Sequence, residues 1–206
     1  MAYYNGDGPL SDAFDEVLAV PTIPGGDAIK RNINQQALNA LVDGAFPGGR
    51  RTIFNVLAFK ADADFALALN KKSIELFKPF EGKNVTWAVT FQPFGKAITA
   101  AIAKKPNFQG IETDADLLIF GIAAYYDDPK LDKALDKWAH DTVNWGAQAA
   151  KQKGLFAPWL YLNYALPDQD VYGSFGAANA RRLRSIRDKY DPNHVLRKLW
   201  PGGFKL

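Results

Sequence analysis

The chain has 206 residues, of which 48% are hydrophobic and 23% charged, proportions typical of a globular protein with room for one good core. Cysteine is absent, which excludes disulfides, thiolate metal sites, cysteine nucleophiles and attachment of a cofactor through cysteine. A net charge of +3 is too small to indicate a polyanionic partner such as nucleic acid, and no apolar run approaches the roughly 20 residues needed to span a membrane.

The N-terminal residues contain neither the basic region nor the apolar stretch of a signal peptide. We therefore expect no signal peptide, and a cytoplasmic rather than a secreted protein. Loops rich in glycine and proline punctuate the rest of the chain, and no internal repeat is visible.

Four segments are predicted to be β-strands, mainly because they are rich in β-branched and aromatic residues. They are residues 52–60, 85–92, 117–126 and 159–164, and residues 3–5 form a candidate edge strand. In the second segment apolar and polar residues alternate, which predicts a sheet with one apolar face and one more polar face. The apolar side carries Val85, Trp87, Val89 and Phe91, and the polar side carries Thr86, Ala88 and Thr90.

Helices are predicted between these strands. Asp62 is a suitable N-cap for a helix that extends to about residue 77. Asp128 followed by Pro129 begins the clearest helix, which Gly154 ends. Shorter helices are predicted at 35–41 and 96–104, and a last helix at 175–189.

The predicted fold class is α+β, with an antiparallel sheet of four or five strands, helices on one face, and a C-terminal helical segment. Strands that alternate with helices often form a parallel sheet. Here Thr86, Thr90 and Asn55 indicate a polar side, which a parallel strand covered on both faces rarely shows.

Several kinds of site are disfavoured by the residues present. The two histidines, His140 and His194, have no carboxylate–histidine spacing around them, so we expect structural or surface roles and no metal site. No serine-hydrolase elbow or phosphate-binding glycine loop is visible. The basic run at 181–189 is interpreted as a helix surface, because Leu183 and Ile186 fall on its predicted buried stripe.

An aromatic cluster at 161–164 is the most informative local pattern. If this segment is a strand, Tyr161 and Asn163 face one side, and Leu162 and Tyr164 face the other. A tyrosine on a sheet usually fills space. It can act as a general base only if its pKa, ordinarily about 10, is lowered or if proton transfer is concerted.

The C-terminal part of the sequence resembles the berberine-bridge-type FAD-linked oxidases, in particular fungal members. The resemblance rests on a series of short motifs and extends more weakly over nearly the whole chain. The motifs are Tyr161-Leu162-Asn163-Tyr164, Gln169-Asp170, Tyr172-Gly173-x-x-Gly176, Asn179-x-x-x-Leu183, Lys189-Tyr190-Asp191-Pro192-Asn193 and the closing Pro201-Gly202-Gly203-Phe204-Lys205-Leu206.

This resemblance implies a cofactor and a set of roles. The family uses FAD held by a large N-terminal domain, which we expect to be absent from this chain, so FAD would not be bound by the chain alone. Tyr164 corresponds to the family's catalytic base, and Asn163 and Tyr161 lie in the motif that faces the flavin. Residues 1–165 would form the substrate-binding domain, and residues 166–206 the C-terminal segment that packs on the flavin domain.

The polar face of the sheet is the predicted substrate site, because polar groups on neighbouring strands can converge there. Its candidate substrate-binding residues are Asn55, Thr90, Gln92 and Tyr125, together with the catalytic Tyr164. The final helix and tail carry many apolar residues, Phe175, Tyr190 and Trp200 among them. Such a surface predicts a homodimer or a separate chain that carries the flavin domain.

Three functions remain open at this point. The chain could be the substrate domain of a FAD-linked oxidase that acts on a small alcohol, sugar or secondary metabolite, with a flavin domain supplied elsewhere. It could instead be a flavin-independent cyclase or isomerase of secondary metabolism. The third possibility is a non-catalytic remnant that binds a small molecule.

Overall fold

The computed structural model describes residues 12, 15–21, 34–37, 39–40, 48–104, 107–111 and 115–206. The chain divides into two units, Met1–Gly48 and Gly49–Leu206. In the first unit a short helix, α1, spans Asp15–Leu18. Residues 35–37 and 39–40 are helical, within the helix predicted at 35–41. The edge strand predicted at 3–5 lies outside the described residues.

The second unit is built on an antiparallel sheet, as predicted. The described residues form four strands in the order β2-β3-β1-β4. Every neighbouring pair is antiparallel. The strands are β1 (Arg51–Lys60), β2 (Thr86–Phe94), β3 (Leu117–Tyr126) and β4 (Phe156–Ala157).

Helices connect and cover the strands. The first long one, α2 (Ala63–Phe77), begins at Asp62, whose carboxylate accepts a hydrogen bond from the Phe65 backbone at 2.7 Å. It is followed by α3 (Lys96–Ala103) and α4 (Asp132–Gln152). Asp128 and Pro129 open the turn that leads into α4, as the sequence predicts. No helix among the described residues is both long and apolar enough to cross a membrane.

One face of the sheet is sealed by α2 and α4, and we call it the covered face. Its core consists of Ile53, Leu57 and Phe59 from β1, Phe120, Ile122 and Ala124 from β3, and Leu69, Leu135 and Trp138 from the helices. Close packing depends on Gly146 in α4. A methyl group there would lie 2.9 Å from Leu57 Cδ2, which leaves no space for a larger residue.

A polar clamp fastens one end of the covered face to α4. Arg51 forms a bidentate ion pair with Asp132, with N–O distances of 2.8 and 2.7 Å. The Tyr126 hydroxyl donates to the same carboxylate at 2.8 Å. Burial, and then the hydrogen bond to Asp132, raises the pKa of Tyr126 to about 12. Tyr126 is therefore a neutral donor at physiological pH.

The C-terminal segment covers one end of the opposite face. It contains α5 (Val171–Ser174), α6 (Ala177–Tyr190) and α7 (Val195–Leu199). Trp159, Val171 and Phe175 pack against side chains of the sheet, namely Val56, Ala58, Leu117 and Ile119. Phe175 was expected to belong to an exposed surface, but only 8% of it is exposed because it joins this second cluster.

The strand predicted at 159–164 is wrong. β4 ends at Ala157, and Leu162–Tyr164 forms a turn of 3₁₀ helix. Two features account for the difference. Pro158 fixes φ near −65°, away from the extended values of antiparallel strands. The Gln169 side chain also occupies the edge of β1 that a longer β4 would need, since its amide bonds both backbone groups of Val56.

Candidate small-molecule site on the open face of the sheet

The face of the sheet opposite α2 and α4 remains partly uncovered, and we call it the open face. Its floor is made of small residues, since Ala88 lies opposite Ala123 and Thr90 lies opposite Gly121 in the β2–β3 register. At its sides Thr52, Thr86 and Thr90 are exposed. These small side chains rise little above the backbone of the sheet.

Tyr164 lies over this floor. Its ring stacks on Phe54 at a centroid distance of 6.0 Å and an angle of 23°. A methyl group on Gly121 would lie 3.3 Å from Tyr164 Cδ2, so the ring approaches the β3 backbone closely. Glycine at this position allows that approach. The structure thus places the predicted catalytic tyrosine on the polar face of the sheet.

Tyr125 stands beside Tyr164 on the same face. Its ring meets Phe54 edge-on, with centroids 5.9 Å apart and an interplanar angle of 88°. Burial raises the pKa of Tyr125, and the neighbouring Tyr164 raises it further. Tyr125 is therefore a neutral phenol at physiological pH, able to donate a hydrogen bond.

Thr90 and Gln92 complete the group of predicted residues that share the open face. Thr90 is exposed and lies directly opposite Gly121, the residue that the Tyr164 ring covers. Gln92 is half-buried and lies opposite Ile119, nearer to the end that the C-terminal segment covers. Hydroxyl, amide and phenol groups from two strands and a turn are thus brought to one surface.

Asn55 does not belong to this site, contrary to the prediction. It lies opposite Ile122 in the β1–β3 register, so its side chain is directed to the covered face. There it is 1% exposed, and its Nδ2 donates to the carbonyl of Ala139 in α4 at 3.1 Å. Its Oδ1 accepts from the backbone of Val56 at 2.8 Å. Asn55 joins strand to helix.

The expected division of residues 161–164 also changes. In a 3₁₀ turn residues three apart share a side, so Tyr161 and Tyr164 lie together rather than on opposite faces. Their rings meet edge-on, with centroids 4.9 Å apart. Asn163 is exposed, and its Nδ2 donates to the Tyr161 hydroxyl at 2.9 Å. This pair forms a polar rim next to Tyr164.

Three further residues build the site, and the sequence assigns none of them a role in it. Phe54 provides an aromatic wall, Gly121 provides the space beneath Tyr164, and Gln169 fastens the loop that follows Tyr164. Gly121 carries a local signal, since glycine inside a strand often marks a close approach of another group. The described residues contain no group of three histidines or carboxylates placed to bind a metal ion.

The geometry defines an α+β domain whose sheet has one sealed face and one open face lined by tyrosines. Residues 160–198 match the family described as berberine and berberine like. This match includes Tyr161, Asn163, Tyr164 and Gln169. The chain belongs to the berberine-bridge-type family of FAD-linked proteins.

Relatives in fungi extend the similarity beyond that segment. The chain is 30% identical, over 78% of its length, to the FAD-dependent monooxygenase FUP4 of Fusarium proliferatum. It is 27% identical, over 99% of its length, to the FAD-dependent monooxygenase drtC of Aspergillus calidoustus. A stretch of 56 residues is 41% identical to the bifunctional solanapyrone synthase of Alternaria solani. The chain spans 32% of the length of the first of these relatives and 39% of the second.

Proposed function

We propose that this chain is the substrate domain of a FAD-linked oxidase, and that its open face binds a small organic molecule. The observation that carries the proposal is the position of Tyr164 above the floor of Ala88, Gly121 and Ala123. A flat ligand on Ala88 and Ala123, beside the Tyr164 ring that covers Gly121, would place a hydroxyl within reach of the phenols of Tyr164 and Tyr125. Secondary metabolites with ring systems, and small alcohols or sugars, are the candidate substrates.

The residues at the rim fit contact with a flavin ring. Asn163 and Tyr161 present an amide and a phenol beside Tyr164, and the small floor residues tolerate a planar group nearby. When bound, a flavin supplies an acceptor for the electron pair and hydrogen that leave a substrate carbon as hydride. In the same oxidation Tyr164 takes the proton from the substrate hydroxyl, so that a carbonyl forms. Tyr125 holds the hydroxyl oxygen by donating a hydrogen bond.

The flavin-bearing domain would dock on the C-terminal segment. Four large apolar side chains there are 67–76% exposed, namely Tyr190, Leu196, Leu199 and Trp200. Three of them, Tyr190, Leu196 and Trp200, border a groove of about 810 Å³. Because the chain spans about a third of the length of FUP4, we propose that polypeptide outside these 206 residues covers the groove. A second copy of the chain is the alternative, and light scattering of the purified protein distinguishes a homodimer from a monomer.

A flavin-independent cyclase or isomerase is the second candidate, and Tyr125 is the observation that favours it. A neutral phenol can polarise a substrate carbonyl by donating a hydrogen bond, without any redox partner. Tyr164 on the same face could then remove or return a proton during ring closure. The absorbance spectrum of the purified chain, alone and after mixing with FAD and desalting, separates the two candidates. A retained flavin band supports the oxidase, and colourless protein with turnover supports the second candidate.

Tyr164→Phe tests the chemistry. It keeps the ring and its stacking on Phe54 but removes the hydroxyl, so turnover of an identified substrate should fall by about 10²–10⁴-fold. Tyr126→Phe is the matched control, because it removes a hydroxyl on the covered face and should leave the turnover of the folded protein unchanged. Full activity in a folded Tyr164→Phe protein would show that Tyr164 is structural. Absence of both flavin binding and turnover would support a non-catalytic remnant.

A further inference from the structure

The edge of β1 next to β4 is only partly paired by strand hydrogen bonds. β4 has two residues, which pair with Ala58 and Phe59. Beyond them the backbone of Lys60 donates to Leu155 at 2.8 Å, so the backbone groups of alternate residues point to this edge. Val56 follows the same alternation, and its N–H and C=O face the edge at a position that β4 does not reach.

The side chain of Gln169 takes the place of the missing strand residue. Its Nε2 donates to the Val56 carbonyl at 2.9 Å. Its Oε1 faces the Val56 N–H at 3.4 Å, which Asn55 Oδ1 also accepts at 2.8 Å, and accepts from the Leu166 N–H at 3.0 Å. A primary amide carries a donor and an acceptor side by side, as a peptide group does, so it can imitate one rung of a ladder.

The same residue closes the loop that carries Tyr164. The Gln169 N–H donates to the Leu166 carbonyl at 3.0 Å, so main chain and side chain of Gln169 both hold Leu166. Leu166 is only 7% exposed and packs in the core of the covered face. Tyr164 is two residues earlier, in the turn that also bonds Tyr164 N–H to the Tyr161 carbonyl at 3.0 Å.

We propose that Gln169 is the positioning residue of Tyr164: by replacing a strand rung on β1, it fixes the loop that places the Tyr164 ring over Gly121. The proposal concerns position, and its importance for chemistry rests on the proposed function of Tyr164. Pairing with a side chain rather than a strand lets the chain turn over the open face at Tyr164. A longer β4 would instead carry the chain along the sheet edge and away from the site.

The position of the ring can be measured without any substrate. An aromatic ring this close to Gly121 shifts the NMR resonance of its α-protons, and Tyr164→Leu in the full chain measures how large that shift is. We expect Gln169→Leu to remove more than half of the shift that Tyr164→Leu removes. Gln148→Leu is the matched control, because Gln148 is exposed in α4 and should leave the resonance in place. An unchanged Gly121 resonance in folded Gln169→Leu would overturn the proposal.

A second variant, Gln169→Glu, tests the hydrogen bonds themselves. An ionised carboxylate can still accept but would face the Val56 carbonyl with no proton to donate, so the shift should be reduced at pH 7. Protonation below the carboxyl pKa, ordinarily about 4.3 and higher next to a carbonyl, restores a donor and an acceptor. The Gly121 resonance should therefore return on acidification. If protonation restores nothing, or if the shift is intact at pH 7, the amide rung does not hold the loop.

Activity measurements separate this proposal from the proposed function. With an identified substrate, Gln169→Leu should lower kcat, and adding Tyr164→Phe should cost little more, since both changes act on one group. Loss of the Gly121 shift in Gln169→Leu together with full turnover in Tyr164→Phe would uphold the positioning and reject the catalytic role. An intact Gly121 shift in Gln169→Leu, together with a large loss of turnover in Tyr164→Phe, would reject the positioning and uphold the catalytic role.

Discussion

The two faces of the sheet use alternate residues of the same strands for different purposes. On the covered face Ile53, Leu57 and Phe59 of β1 are at most 8% exposed and pack under two helices. On the open face the neighbouring Thr52 is exposed and Phe54 half-exposed. Because side chains of a strand alternate, one sequence can stabilise the fold on one side and present a recognition surface on the other.

The faces also differ in how they treat polar groups. On the covered face Asn55 is fully buried, and its amide contacts the Ala139 carbonyl and the Val56 N–H. On the open face Thr90 and the rim residue Asn163 are exposed to solvent, where a ligand could reach them. Buried polar groups need partners within the protein, whereas exposed ones can exchange water for a ligand.

The largest expected effect on stability tests the difference between the two faces directly. Ile122→Ala empties space in the covered face, where Ile122 is 0% exposed, and should lower the free energy of unfolding by about 2–5 kcal/mol. Thr90→Val on the open face keeps the branched shape and removes a hydroxyl, so the free energy should change by less than about 0.5 kcal/mol. Urea unfolding measures both. Similar costs for the two variants would mean that the faces are not energetically distinct.

A smaller effect tests the corrected position of Asn55. Asn55→Leu removes a buried amide that joins β1 to α4, and should lower the free energy of unfolding by about 1–3 kcal/mol. Asn144→Leu, at an exposed position of the same helix, is the control and should have little effect. Ligand binding on the open face should be unaffected by Asn55→Leu once the protein is folded. A selective loss of ligand affinity in Asn55→Leu would show that Asn55 takes part in the site.

Much of the fold follows from local patterns. The strand predicted at 117–126 has the bounds of β3, and Asp62 caps α2 as expected. Composition and alternation suffice for these elements because each is long and amphipathic or fully buried. The alternation of 85–92 also predicted which side of β2 faces the helices, and the apolar residues Val85, Trp87, Val89 and Phe91 pack there.

What the sequence could not provide depends on contacts between distant segments. Alternation within β1 does not say whether its odd- or its even-numbered residues face the helices. The pairing of Asn55 with Ile122 decides that, and strand register is not encoded locally. The strand predicted at 159–164 has a suitable composition, yet Gln169 occupies the edge it would need. A side chain that substitutes for a strand residue leaves no periodic signal, so the motif Gln169-Asp170 marks the residue but only the structure shows its pairing with Val56.

The smallest effect concerns a contact between the helix layer and the loop after Tyr164. His140 in α4 lies within 2.8 Å of the Asp136 carbonyl through Nδ1, and within 2.7 Å of the Asp168 carboxylate through Nε2. The hydrogen bond to the Asp136 backbone, followed by the one to Asp168, raises the pKa of His140. Asp168 directly precedes Gln169, so the loop is fastened from the covered side as well.

The sign of the pH dependence follows from this raised pKa. Because the folded protein holds the imidazole proton more tightly than the unfolded chain, the stabilisation is complete below the unfolded pKa of about 6.5. It is lost as the pH rises through the folded pKa. Asp168→Asn should therefore cost more stability at pH 5.5 than at pH 8.5, by less than about 1 kcal/mol because the pair is partly exposed to solvent. In Asp141→Asn, the control, the lost partner is Lys137, and lysine stays charged across this range, so the cost should be flat. If the loss of stability in Asp168→Asn does not change with pH, or grows as the pH rises, the charge on His140 does not help to hold the loop.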